Sequence, residues 1–133
     1  MDSGTGCAIW FPKYKFSKLI PLPINTSIYK AEELAILQSL LTIESLKDKN
    51  CIICSDSRST LKAIERFNKG NYSPPLIPEI ISKLDSLIRS KIVNFLWIPG
   101  HRGISGNITV YRFARETVSS GVLHHLVMTL RPT

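Results

Sequence analysis

No apolar run in these 133 residues approaches the roughly 18 needed to cross a membrane. The start, Met1-Asp2-Ser3-Gly4, has no basic patch followed by an apolar segment. Neither a membrane partner nor a secretory leader is expected, and an intracellular setting, cytoplasmic or nuclear, is. Cysteine is scarce, three residues and an odd count, with Cys51 and Cys54 inside one strand-like run. That argues against a disulfide framework and for a reducing compartment. Cys51-x-x-Cys54 has the spacing of half a zinc site, but no second pair of Cys or His stands at ligand spacing. Acidic residues are few: 10 against 17 Lys and Arg, a formal net charge of +7. Such an excess suits a polyanionic partner and says nothing about fold. There is no internal repeat and no low-complexity tract, so the length reads as one domain with room for a core.

What is present is organised around Cys51-Ile-Ile-Cys-Ser-Asp-Ser57. Four apolar residues bounded by polar ones read as a strand buried on both faces. The run stops at a carboxylate, Asp56, where the strand should end. Ligands of open α/β sheets bind at the carboxyl ends of strands, so Asp56 is either a ligand for a hard divalent cation or the cap of the helix that follows.

Upstream, Gly6–Phe11 and Phe16–Leu22 read as a hairpin, and Pro21 and Pro23 break the chain after it. Thr26 to about Lys47 reads as a long helix, capped by Asn25, Thr26 or Ser27. Glu32 falls on a face with Ile28, Ala35, Ile36 and Ser39, turned toward packing, whereas Glu33 lies beside Tyr29, Lys30 and Leu37. A carboxylate pressed into apolar packing must be protonated, paired or bound to metal; the simpler role for Glu32 is to complement the helix dipole. Downstream, Ser57–Asn68 reads as a helix with Leu61, Ile64 and Phe67 inward and Arg58, Lys62, Arg66 and Lys69 opposite. That basic stripe is either a solvated face or a seat for a phosphate backbone. Pro78 opens a third helix with an apolar stripe from Ile77 to Ile88. Lys91–Ile98 reads as another strand apolar on both faces, followed by a turn with His101, Arg102 and Gly103 and a last helix from Ile108 to about Ser119. Residues 121–133 form an apolar tail to which no role is assigned, His124 and His125 included. The order hairpin, helix, strand, helix, helix, strand, helix implies an α/β mixed sheet with helices packed on it, and places Asp56 near the His101 turn.

These residues resemble the type 1 ribonuclease H domain in the form carried by reverse transcriptases of non-LTR retrotransposons. The likeness runs from about Ser3 to Thr117. Lys30-Ala-Glu-Glu-Leu-Ala-Ile36 resembles the family's Ala-Glu-Leu-x-Ala-Ile helix, which puts its catalytic Glu at Glu32. Ser55-Asp-Ser57 resembles its Ser-Asp-Ser segment. Trp97-Ile-Pro-Gly-His-Arg-Gly-Ile-Ser-Gly-Asn107 resembles its Trp-x-Pro-x-His-x-Gly-x-x-Gly-Asn signature, the most specific match. The resemblance implies a ribonuclease H-like mixed sheet with helices on both faces over residues 1–120, and RNA–DNA hybrid, or other nucleic acid, as partner. It implies Glu32 and Asp56 as ligands of Mg²⁺, with His101 aiding proton transfer or product release. Nucleic-acid contact is expected at Arg58, Lys62, Arg66 and Asn107. In the family, four carboxylates hold two ions that activate water and stabilise the leaving oxyanion at the RNA phosphate.

The chain departs from that pattern at two places. The family's first strand, with its Thr-Asp-Gly-Ser, lies upstream of the segment matching Ser3 and is central to the sheet, between the hairpin and the Asp56 strand. Its lack implies two unpaired strand edges and a strand-completing partner or self-association. The family's Gly-Asn-Glu-x-x-Asp is here Gly106-Asn-Ile-Thr-Val-Tyr111, so Tyr111 stands at a metal-binding Asp. A neutral phenol is a poor Mg²⁺ ligand. With two of four carboxylates absent, hydrolysis is expected to be impaired or lost, and a non-catalytic nucleic-acid-binding relic is the alternative.

Overall fold

A computed structural model describes residues 5–11, 14–97 and 125–130. Its elements are β1 (Thr5–Phe11), β2 (Phe16–Leu22), α1 (Ile28–Glu44), β3 (Asn50–Ser55), α2 (Arg58–Glu65), α3 (Ile77–Leu87), β4 (Ile92–Trp97) and β5 (His125–Leu130). The sheet order is β2-β1-β5-β3-β4. β1 and β2 pair antiparallel from Thr5↔Leu22 to Phe11↔Phe16. β3 and β4 pair parallel from Asn50↔Ile92 to Ser55↔Trp97, the two being joined through α2 and α3 as a parallel pair requires. The sheet is therefore mixed, as the sequence implies.

Alternation sorts β1 and β3 by face. Cys7, Ile9 and Phe11 of β1 join Cys51 and Ile53 of β3 in one core with Ala31, Ala35, Ile36, Leu40 and Ile43 of α1 and Ile77, Ile80 and Leu87 of α3. Ile52 and Cys54, on the alternate face of β3, are buried as well. An Ile or Leu side chain contributes about 1.5–3 kcal/mol when fully buried, so α1 is held by its apolar face rather than by propensity alone. Ser27 supplies the cap of α1: its Oγ accepts from the Lys30 N–H at 3.1 Å.

Two expectations change. β4, read as buried on both faces, is the outer strand: Asn94 is exposed, and Ile92 and Trp97 are 60% and 44% exposed. A strand with one neighbour has less to pack against, and its apolar composition does not reveal that. The second concerns the tail. Residues 125–130 form β5 in the middle of the sheet, antiparallel to β1 through Ala8↔Leu130, Ile9↔Thr129 and Trp10↔Met128. The same strand is parallel to β3 from Cys51↔His125 to Ser55↔Thr129. The inner edges of β1 and β3, expected to lack partners, are both paired by this one strand. It occupies the place, between the hairpin and the Asp56 strand, that the resemblance gives to an upstream strand.

Candidate active site at the carboxyl end of the third strand

β3 delivers Ser55 and then Asp56 to the sheet's carboxyl end, and α2 begins two residues later. The cap of α2 is Ser57, not Asp56. Its Oγ accepts from the Thr60 N–H at 3.4 Å, and its own N–H donates to Ser55 Oγ at 3.0 Å. Asp56 is thereby relieved of the capping role and sits half-buried at the strand's end.

Glu32 reaches the same place from α1. It is 7% exposed, and its Oε1 accepts the Ser57 hydroxyl at 3.0 Å. Since Ser57 donates its one proton there, the 2.7 Å contact between Ser57 Oγ and Thr60 Oγ1 is donated by threonine. The result is a buried chain of oxygens from Thr60 through Ser57 to the Glu32 carboxylate. The helix dipole does not explain Glu32, because the first turn of α1 holds no acidic residue. In the sequence, Ser57 is visible only as one member of a motif. Its role as donor to Glu32 depends on how α1 crosses β3, which no local pattern encodes.

Glu33, next in sequence, is 4% exposed and turned to a different neighbour: its Oε1 accepts from the Leu76 N–H at 3.2 Å, at the start of α3. Burial raises its carboxyl above the usual range, against the opposing pull of that hydrogen bond and of Lys30. The sequence contained a signal for this. No Ser, Thr, Asp or Asn immediately precedes Ile77, and the Leu76 cap position makes no side-chain cap bond, so the helix start needs an acceptor from elsewhere.

Of the basic stripe, Arg58, Lys62, Arg66 and Lys69 fall on or just after α2, and all four are exposed. The Arg58 guanidinium lies 5.3 Å from the Trp97 ring centroid, tying the start of α2 to the end of β4. A cleft of about 330 Å³ opens beside this helix, lined by Tyr29, Lys30, Glu33, Ser59, Thr60 and Tyr72 among others. His101, Asn107 and Tyr111 lie outside the described residues, so their placement relative to Asp56 is not part of this geometry.

Cys54, one of the half zinc site, has its thiol pushed up to about 12 by burial, and Cys51 is buried as well. A protonated, enclosed thiol is neither nucleophile nor metal ligand. Among the described residues no three His, Cys, Asp or Glu side chains form a group that could hold a metal ion. Mg²⁺ is bound through one or two carboxylates and water, and Glu32 and Asp56 are the carboxylates that could serve in that way.

The sequence profile of the RNase H family matches residues 1–119. Mouse Ribonuclease H1 is 25% identical over 116 residues, covering 80% of this chain and 41% of that protein. Ribonuclease H of Tropheryma whipplei, strain Twist, is 25% identical over 97 residues, covering 66% of this chain and 60% of that protein. The chain thus spans about half the length of the curated relatives it matches.

Proposed function

The chain belongs to the RNase H family, and from that premise we propose that it is a domain that binds RNA–DNA hybrid while hydrolysing it poorly or not at all. The family uses divalent metal ions and acts on RNA–DNA hybrids, and the chain retains two features that serve this. Asp56 follows the carboxyl end of β3, and Glu32 accepts the hydroxyl of Ser57, the next residue in sequence. The basic residues of α2 continue outward from that point, on the helix that Ser57 caps. Lys and Arg in such a row neutralise phosphates and release counterions without reading sequence. A hybrid is recognised by its shape and its 2′-hydroxyls rather than by base edges.

The impairment rests on one observation. The backbone neighbours of β3 at its carboxyl end are Met128 and Thr129 of β5 on one side and Leu96 and Trp97 of β4 on the other. Neither flanking strand carries a carboxylate to set beside Asp56. Tyr111, where the family signature has a metal-binding Asp, supports the same reading from the sequence. We assign the domain to the non-LTR retrotransposon type on the Trp97–Asn107 signature, with Mg²⁺ held singly and weakly by Glu32 and Asp56.

The test pairs two measurements on the same protein. Hybrid binding, followed by fluorescence anisotropy, should weaken steeply with salt. Lys62→Ala with Arg66→Ala should make that dependence shallower, by somewhat less than about one unit of log–log slope for each phosphate no longer neutralised. Cleavage of the hybrid in Mg²⁺ should be at background and unaltered by Asp56→Asn. Robust turnover abolished by Asp56→Asn would overturn the impairment. Binding indifferent to salt and to both α2 substitutions would overturn the hybrid reading.

A further inference from the structure

We infer that the end of the sheet opposite Asp56 is a second nucleic-acid surface, one that takes single-stranded RNA or DNA. Three segments far apart in sequence meet there. The Tyr14 hydroxyl, in the connection between β1 and β2, donates to Asp48 Oδ1 at 2.5 Å. The Lys91 ammonium, just before β4, donates to the backbone carbonyls of Leu46 and Asp48 at 2.7 and 2.6 Å. The Ile92 N–H donates to the Lys49 carbonyl at 2.7 Å. The hairpin turn, the α1–β3 connection and the α3–β4 connection are thereby joined into one surface. At roughly 3.3 Å per residue, the six residues of β3 set it about 20 Å from Asp56.

That surface is strongly cationic. Residues 14–16, 45–50 and 88–92 hold Lys15, Lys47, Lys49, Arg89 and Lys91 against a single acid, Asp48. Asp48 is 5% exposed, and its carboxylate accepts the Tyr14 hydroxyl. Lys91 is engaged by carbonyls, as a cation beyond a helix C-terminus commonly is. Lys15, Lys47, Lys49 and Arg89 are exposed and make no hydrogen bond or ion pair with another described residue. Like charges gathered without partners repel one another and weaken the fold, while drawing in a polyanion. Two aromatic rings select an unpaired strand over a duplex. Tyr14 and Phe16 are 45% and 44% exposed beside these cations. Both are held in place: Tyr14 by its bond to Asp48, and Phe16 by Phe11, with ring centroids 5.9 Å apart. Bases stack on such rings while their phosphates meet neighbouring cations, and unpaired bases have faces to offer that a duplex has already stacked. Rings fixed in advance lose little freedom when a base arrives.

The test is fluorescence anisotropy on the full chain, with labelled oligo(dT) and oligo(rU) of about 12 nucleotides, within the usual site size, over a range of salt. Binding should weaken as salt rises. Lys47→Gln with Lys49→Gln changes two exposed side chains and leaves the contacts of Tyr14, Asp48 and Lys91 in place. It should lower the log–log salt slope by about 1.4, about 0.7 for each phosphate no longer neutralised, and Arg89→Gln should lower it by half as much. Phe16→Leu keeps an apolar side chain against Phe11 and removes the ring, so binding should fall about fivefold or more. No binding at low salt would overturn the inference, as would binding that neither the paired lysine change nor Arg89→Gln alters. An equal loss in Lys62→Ala with Arg66→Ala would place the strand on α2 instead, and overturn it too. A DNA duplex of the same length, polyglutamate or phosphatidylserine vesicles bound as tightly through Lys47 and Lys49 would show a cationic surface without preference, which also sinks the assignment. The oligonucleotides contain no hybrid, so the outcome is readable whether or not the domain binds one.

Discussion

Two adjacent carboxyl groups on α1, Glu32 and Glu33, are both enclosed and serve two different regions of the molecule. Glu32 meets the side-chain hydroxyl of Ser57, where β3 ends and α2 begins. Glu33 meets a backbone amide, where α3 begins. About 100° of helix rotation separates successive residues, enough to send one toward the sheet's carboxyl end and the other into a helix–helix contact. The difference lies in the partner. A hydroxyl can rotate away and let its acceptor take a cation, whereas an amide fixed in a helix start cannot. Buried carboxylates are thus a poor marker of a site by themselves, since two neighbours on one helix take partners of different kinds.

Removing the Ser57 hydroxyl is the sharpest way to break the comparison. Ser57→Ala deletes the cap of α2 and the donor to Glu32 together. Loss of a cap costs about 0.5–2 kcal/mol, and a buried charged acceptor left without its donor adds a penalty of about 1–3 kcal/mol or more. The expected outcome is a fall of about 2–4 kcal/mol in unfolding free energy by urea titration, with an unchanged m-value. In Glu32→Gln the same serine change should cost less, and the coupling between the two sites measures the contact. Strict additivity would mean that Ser57 matters only as a cap, and the polar chain to Glu32 would lose its meaning.

The hairpin, α1, β3, α2 and α3 were all legible in the sequence, because each carries its own periodicity and punctuation. β2 begins and ends where the pattern places it, and α1 is shorter than expected by about one turn in all, a normal uncertainty at helix ends. Asp56 and Glu32 were legible as candidates because a carboxylate ending an apolar strand, or set in an apolar helix face, conflicts with its surroundings. Three things were not. The exposure of β4 depends on its being outermost. The role of residues 125–130 depends on a pairing with strands far away in sequence, and an apolar tail offers no periodic or turn signal to announce it. The burial of Glu33 depends on where α3 packs, although the uncapped start of α3 asked for an acceptor.

Glu33→Gln probes the other half of the comparison, with an opposite and smaller effect. The amide oxygen of Gln can still accept from Leu76, while the burial penalty on a charge disappears. Because burial raises the Glu33 carboxyl in the folded state, the folded protein holds that proton more tightly than the unfolded one. Stability contributed by the group is therefore greatest at acid pH, and it declines as pH rises from the usual carboxylate range through the raised folded value. The variant should be more stable than the parent at neutral pH, by less than about 1 kcal/mol, and the two should converge in acid, where both side chains are neutral. Thermal unfolding across that range reads the result directly. A variant less stable than the parent at neutral pH would show that the charge of Glu33 is needed at the start of α3.

The smallest effect is expected on the outside of the same helix pair. Lys83 of α3 reaches Glu44 of α1 at 3.1 Å and 3.2 Å, one contact to each carboxylate oxygen, with the two side chains 25% and 49% exposed. Geometry alone would rank this link above the single bond that Glu33 accepts. Water and salt screen it, and holding two long side chains in one arrangement is entropically unfavourable, so such pairs contribute roughly 0–1 kcal/mol. Lys83→Ala should shift the unfolding midpoint barely beyond error at low ionic strength and not at all in high salt. A destabilisation as large as that of Ser57→Ala, persisting in salt, would mean that α1 and α3 are joined by charge at their rim. The enclosed Glu33–Leu76 hydrogen bond would then no longer be the polar link that sets how the two helices meet.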